Sequence, residues 1–388
     1  MTDLEFPDAG FTLEDEIADG RRLLLSLSQV PDPRSDNAHH SMGDMLIMLI
    51  VAIAGGANSI YAVPDFCEGH AAWFRRIFNI VEIPSLPTFY RFVSRLDHSK
   101  VTEALATWVN GWRNRHPIEG LEVVSLDGKA LRGYVSGYLN VVSAYSSKYG
   151  IVLSGVCTEG SKQNEQAAML RLISMLSLKD AVVTADAAGT QVQIANAVIA
   201  KGGNYVLPVK GNQHNTAESV ALCFDNPFVE PMKREVVDKQ GGRIESRVFE
   251  FLPLGSHSLP FTEKWSKLAA IGKVTSTVTQ KNRKTGEDNV TVNSRLFITS
   301  LTDFDAFIEA SRKHWGVEVM HFVLDVTFRE DNCLLHEKNA QLVMNALRKV
   351  VYNVIKTAIP KVKMSKYRRR AGWIEANLTE TMRLFLNA

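Results

Sequence analysis

The sequence predicts an α/β protein in which an all-α N-terminal domain precedes a mixed sheet carrying a β-rich insertion. Three observations lead there. Residues 12–115 are patterned as helix. The texture changes at Leu121, where LEVVSLDGKAL, LNVVSAYSS and IVLSGVCTE read as β-type runs joined by short turns, an antiparallel meander. Beyond them a helix pattern (NEQAAMLRLISMLSL), an apolar strand (AVVTADA), a second helix (TQVQIANAVIAKG) and a second strand (NYVLPVK) alternate, as in α/β sheets.

In chain order, LEDEIADGRRLLLSL opens the helical part, and MLIMLIVAIA is its most apolar run. That run is about half the ~20 residues a membrane span needs, so it reads as a buried core helix. In EIPSLPTFYRF, Ser85 is a candidate cap ahead of Pro87. Two helices joined by this turn fit either a helix-turn-helix or a plain bundle. From about residue 213 to 300 the pattern is β-rich again: REVVDKQGGRIESRVFEF reads as a hairpin turning at Gly241 and Gly242, and a second turns near KTGED. The chain then returns to helices, HWGVEVMHFVLDVTFRED and NAQLVMNALRKVVYNVIKTAI, and finishes in a basic tail. The expected boundaries are 1–117 for the helical domain, 118–360 for the sheet domain with its insertion, and 361–388 for the tail.

Composition narrows the function only loosely. Hydrophobic residues at 45% and charged residues at 22% suit a globular protein rather than a disordered one. A net charge of +2 means that any nucleic-acid surface must come from local clustering of lysine and arginine. Cys67, Cys157, Cys223 and Cys333 lack CxxC spacing, which argues against zinc or a disulfide framework and fits a reducing cytoplasm. The acidic, polar start MTDLEFPDAG is no secretory leader, so a cytoplasmic protein is expected.

Two predicted strands end alike, in Asp127 and Asp186, and aspartate is a poor strand residue. Each could simply cap a turn. If the strands are adjacent and parallel, both carboxylates meet at the sheet edge where ligands bind in open α/β sheets, and Lys210 reaches that edge too. Carboxylates held together repel unless a cation neutralises them, and hard oxygen ligands suit Mg²⁺ or Mn²⁺. A pair of such ions stabilises attacking and leaving oxygens at phosphorus. A third carboxylate can come from the later helix. At about 100° per residue, His314, Glu318, His321 and Asp325 form one polar stripe roughly 60° wide. Trp315, Val319, Phe322, Val323 and Val326 form the adjoining apolar face. Glu330 and Asp331 fall near the helix end, where a solvated or structural role is expected.

These residues resemble the DDE transposases of bacterial insertion sequences, specifically the H-repeat-associated group. The likeness covers nearly the whole chain. DPRSDNAHHSMGDMLIMLIVAIAGGANS and IPSLPTFYRF match the family's N-terminal associated domain. SLDGKALRG, VVSAY, TADAAGTQ, NYVLPVKGNQ, GRIESR, RKHWGVE and HFVLDVTFRED match its catalytic domain, and NAQLVMNALRKVVYNVIK and RRRAGW follow in order. The resemblance implies an RNase H-like fold with a β insertion before the last catalytic helix. It makes Asp127 and Asp186 the first two acids and Glu318 the third, with two Mg²⁺ (or Mn²⁺) ions. Water would hydrolyse a phosphodiester at the transposon end, and the freed 3′-hydroxyl would attack target DNA. Double-stranded DNA, as terminal inverted repeats and target, is the implied partner, bound by a homodimer or larger assembly. Three positions depart from the pattern: Val319 stands where relatives carry Asn, Phe322 where they carry Trp, and Gly241 where GRIE follows His. Asp325 stands where the wider superfamily carries Lys, and is expected to hold His321 or a water behind the metal ligands, with His314 nearby.

DNA contacts are expected from Lys129, Arg132, Lys162 and Lys210 around the acids, and from Arg243 and Arg247 on the insertion hairpin. Arg243, Glu245 and Arg247 alternate on one face, which also fits a surface salt-bridge ladder. KVKMSKYRRR adds Lys366, Arg368, Arg369 and Arg370, six basic residues in ten, as a phosphate-neutralising run or a solvated tail. The alternatives to a transposase are a hydrolysis-only nuclease, a catalytically inactive DNA-binding relic of a mobile element and, more distantly, a glycosidase-like carboxylate pair.

Overall fold

The computed structural model describes residues 22–34, 38–117, 119–158, 164–240, 242–255, 262–281, 288–359 and 361–386. Within them the expected helices precede the first strand: Arg22–Ser28, Met42–Ala54, Ala62–Gly69, Ala71–Phe78, Leu86–Arg95 and His98–Arg115. Met42–Ala54 starts where Ser41 accepts the Asp44 N–H, and its positions from Met48 to Ala54 are all buried. His98–Arg115 starts at Asp97, whose carboxylate accepts the N–H groups of Ser99 and Lys100. Leu86–Arg95 has Ser85 at its cap position and Pro87 in its first turn, and it buries Phe89, Phe92 and Val93.

The axis of this helical part comes from the far end of the chain. Helix Lys338–Ala358 is buried continuously from Ala340 to Ile355. It packs on Met42–Ala54, Leu86–Arg95 and His98–Arg115 and also on strand β3 (Ile151–Cys157). The helices around Ser85 therefore stand as members of a bundle on this axis. One hydrophobic core runs from Leu23 through the sheet to Met382.

Nine strands among the described residues form one sheet in the order β3-β2-β1-β4-β5-β9-β8-β7-β6. β1 (Glu122–Ala130), β2 (Asn140–Ser146) and β3 are the expected antiparallel meander. β4 (Ala181–Ala185) and β5 (Asn204–Val209) then run parallel to β1, each preceded by a helix, Glu165–Met175 and Val192–Ala200. This is the expected RNase H-like order. The insertion begins with helix His214–Asp225 and continues as β6 (Met232–Gln240), β7 (Arg243–Pro253), β8 (Ala270–Lys281) and β9 (Asp288–Thr299). It prolongs the same sheet, because β9 pairs antiparallel with β5. Gln240 pairs with Arg243, so the first hairpin closes over two residues, with Gly242 at φ +82° as a two-residue turn requires. Gly241 and the KTG of the second turn lie outside the described residues.

The C-terminal tail expected at 361–388 is instead two helices, Met364–Trp373 and Glu375–Leu386. Met364, Arg368 and Ala371 are buried at helical spacing beneath the charges, and Leu378 and Met382 continue that contact. Trp73 Nε1 donates to Thr379 Oγ1 at 2.9 Å, tying the last helix to the N-terminal bundle.

Candidate active site

β1 and β4 are adjacent and parallel, with Leu126 registered against Ala185. One residue further on come Asp127 and, just past the end of β4, Asp186. β4 ends there, whereas β1 continues to Ala130 against β2, so Asp127 lies within its strand rather than at its end. Asp186 Oδ1 accepts the Gly189 N–H at 2.8 Å, which fixes one of its oxygens.

Helix Trp315–Val326 packs across β1 and β2 and brings the third acid. Burial holds the Glu318 carboxyl above its ordinary range, and the nearby charge of Asp127 pushes it the same way. His314, at the start of this helix, lies 2.9 Å through Nδ1 from Thr184 Oγ1, which donates to Ser125 Oγ. Burial lowers the His314 pKa, while the charges of Asp127 and Asp186 oppose that shift. His321 Nδ1 lies 3.2 Å from Asp127 Oδ2, and its buried Nε2 has no hydrogen-bond partner among the described residues. The polar stripe therefore does face the sheet edge. Most of the apolar stripe stays outside the core: Trp315, Val319, Phe322 and Val326 are exposed, Val323 packs half-buried against the core, and Val317, Met320 and Leu324 are the buried side.

Asp325 does not hold His321, as expected, but Lys129, at 2.7 Å. Lys129 also lies 3.0 Å from Glu330 and 3.1 Å from Asp331, and its side chain is 11% exposed. Its expected contact with a DNA strand is corrected accordingly: three carboxylates already surround this ammonium. Burial works against its charge, but Glu330 and Asp325 outweigh burial and hold its pKa above the ordinary lysine value. Glu330 is fully buried and structural; its Oε1 accepts from Asn345 Nδ2 at 2.8 Å and lies 3.9 Å from Arg348. Burial alone would raise the Glu330 pKa, yet Lys129 and Arg348 keep it below normal.

The remaining basic residues divide. Arg368 is buried, correcting its expected place on a DNA surface: its guanidinium donates to Ile53 O, Asn58 Oδ1 and Thr327 O and stacks 4.1 Å over Phe328. Arg243 and Arg247 form the salt-bridge ladder, with Glu245 3.2 Å from Arg243, and with Glu245 and Asp238 2.8 Å and 2.6 Å from Arg247. Arg132 and Lys210 are exposed, and Lys366, Arg369 and Arg370 are exposed on helix Met364–Trp373. Lys162 lies outside the described residues.

A groove of about 1130 Å³ runs from the insertion strands to His314 and Trp315, lined by Arg243, Arg247, Arg295 and Arg312 among others. Arg295 is a site residue that sequence reading missed; its charge lowers the pKa of both Glu318 and His314. The available signal was a lone arginine in β9 just before the buried run Phe297–Thr299. Lys349 was missed as well. It is fully buried and donates to Ser143 Oγ at 3.0 Å, and Ser143 is the residue paired with Asp127 across β1 and β2.

Asp127, Asp186 and Glu318 form an all-oxygen donor set of the kind that suits Mg²⁺ or Mn²⁺. Burial and, after it, the charge of Asp127 hold the Glu318 carboxyl up, and a bound cation would favour the charged form of both groups. In their present rotamers, among the described residues, no three acids, histidines or cysteines stand at metal-holding spacing. The donor types fit a divalent ion, and Asp127 would share or release its contact with His321.

The strand order β3-β2-β1-β4-β5 is that of an RNase H-like sheet. A family profile described as "Transposase DDE domain" matches residues 120–354, and one described as "DDE_Tnp_1-associated" matches residues 24–109. The chain belongs to this family of DDE-domain transposases. It is 28% identical over 351 residues to "H repeat-associated putative transposase YhhI" of Escherichia coli (strain K12), covering 86% of this chain and 90% of that one. It is 30% identical over 347 residues to "Putative transposase YncI" of Escherichia coli O157:H7, covering 86% and 87%. A solved piggyBac transposase synaptic complex with hairpin DNA superposes on 97% of this chain and 80% of that one, at 11% identity and a TM-score of 0.43. No helix among the described residues is long and apolar enough to cross a membrane.

Proposed function

We propose that this transposase cleaves phosphodiesters at the ends of a bacterial insertion sequence and joins the freed 3′-hydroxyl to target DNA, with Asp127, Asp186 and Glu318 holding Mg²⁺ or Mn²⁺. What supports this reading is the parallel pairing of β1 with β4, which sets Asp127 and Asp186 at neighbouring strand positions, together with the packing of the Glu318 helix across β1. Bound there, divalent ions would lower the pKa of a water and stabilise the attacking and leaving oxygens. The chain's own residues then have separate tasks. Gly189 orients Asp186, His321 orients Asp127, and Thr184 and Ser125 hold His314. Arg295, which lines the groove together with His314, would supply positive charge where a phosphate lies. Lys210, Arg132, Lys366, Arg369 and Arg370 are exposed cations that fit duplex phosphates. In this reading two or more copies act together on paired ends, in the cytoplasm.

Purified protein incubated with Mg²⁺, a duplex carrying the flanking inverted repeat and a supercoiled target is expected to give joined products. Nicks without joined product would favour the hydrolysis-only nuclease. Binding without nicks would favour the inactive relic.

A further inference from the structure

We infer that Lys129 is a positioning residue for the metal-binding carboxylates: its ion pairs tie β1, just past Asp127, to the helix that carries Glu318. This rests on the reading of Asp127, Asp186 and Glu318 given above. Lys129 and Asp127 are two apart on β1 and share a face of the sheet. From there the ammonium reaches Asp325, two helical turns beyond Glu318, at 2.7 Å. The same ammonium meets Glu330 and Asp331 from the 3₁₀ turn that follows the helix. One cation thus gathers three carboxylates from the segment that must hold its angle to β1.

The tie is anchored from below. Glu330 is held by Asn345 and faces Arg348, both on helix Lys338–Ala358. The next residue, Lys349, reaches Ser143 opposite Asp127. Gly155 leaves the space for that ammonium, since a Cβ there would stand 2.6 Å from Lys349 Nζ. β1, β2, the Glu318 helix and the central helix therefore meet in one charge cluster beside the acids. A phosphate contact would require the Lys129 ammonium to be free and facing solvent, and it is neither.

The test titrates the full chain with Mn²⁺ alone, reading bound metal by loss of the free-ion EPR signal. The salt dependence of binding to a duplex is measured in parallel. Lys129→Met alone would strand the buried Glu330, so the variants are Asp325→Asn and the pair Lys129→Met with Glu330→Gln. Each is expected to weaken Mn²⁺ binding by about 10–100-fold, the usual effect of losing a residue that orients a ligand. Each should leave the salt slope of duplex binding unchanged. Combined, the changes should weaken binding no further than either alone, because both cut the same tie. Lys129→Arg, which keeps the charge, should bind Mn²⁺ more tightly than the methionine variant. Wild-type Mn²⁺ affinity in both variants, additive losses, or a salt slope reduced by about one unit on losing Lys129 would overturn the positioning role. A wild-type chain that binds no Mn²⁺ would overturn the metal-site reading itself.

Discussion

Lys349 poses the sharpest question at the scale of single residues, because a fully buried ammonium beside a charged cluster must act on stability. Burial lowers its pKa to about 8, although Glu330 pulls the other way. The unfolded chain therefore holds this proton more tightly than the folded one between pH 8 and the ordinary lysine range, and stability from this group rises as pH climbs through that interval. Chemical denaturation at pH 7.5 and 9.5 should show the wild type gaining stability relative to Lys349→Met as pH rises. An unchanged difference would mean the ammonium is not desolvated. The candidate acids were visible in the sequence, through the repeated apolar run that leads into an aspartate and through the polar stripe of a helix. The partners of Lys129 were not. Its carboxylates lie about 200 residues away in the chain, and no local pattern encodes such a pairing.

At the scale of elements, the basic run KVKMSKYRRR illustrates how charge can conceal packing. Its helix buries Met364, Arg368 and Ala371 and exposes Lys366, Arg369 and Arg370. Arg368 caps two helix ends at once, through Ile53 O at the end of Met42–Ala54 and Thr327 O just past Trp315–Val326. Arg368→Met should therefore destabilise the protein by at least about 2–3 kcal/mol, because those buried carbonyls lose their donor. Arg369→Ala and Arg370→Ala should change stability by less than about 0.5 kcal/mol and each reduce the salt slope of duplex binding by about one. The reverse pattern would place Arg368 on the DNA. The strands were easier to read than this helix. Apolar or β-type runs bounded by turns marked them, whereas the pairing of β9 with β5 depends on a contact between distant segments.

At the scale of the molecule, the shared core governs behaviour. The N-terminal helices, the sheet and the C-terminal helices bury their apolar faces on one another, with Lys338–Ala358 between them. Calorimetry of the full chain should show one cooperative transition, and two well-separated transitions would contradict a common core. The same helix carries Asn345, Arg348 and Lys349 under the acids, so the bundle and the site rest on one element. Whether that site works as read is decided by cleavage of an end-bearing duplex across a Mg²⁺ titration in wild type, Glu318→Gln and Asp325→Asn. Wild type should cleave and lose all activity in EDTA. Glu318→Gln should bind the duplex normally yet cleave at no Mg²⁺ concentration, and Asp325→Asn should cleave with its requirement shifted to higher Mg²⁺. Normal cleavage by Glu318→Gln, or cleavage by wild type in EDTA, would contradict a metal centre built on Asp127, Asp186 and Glu318.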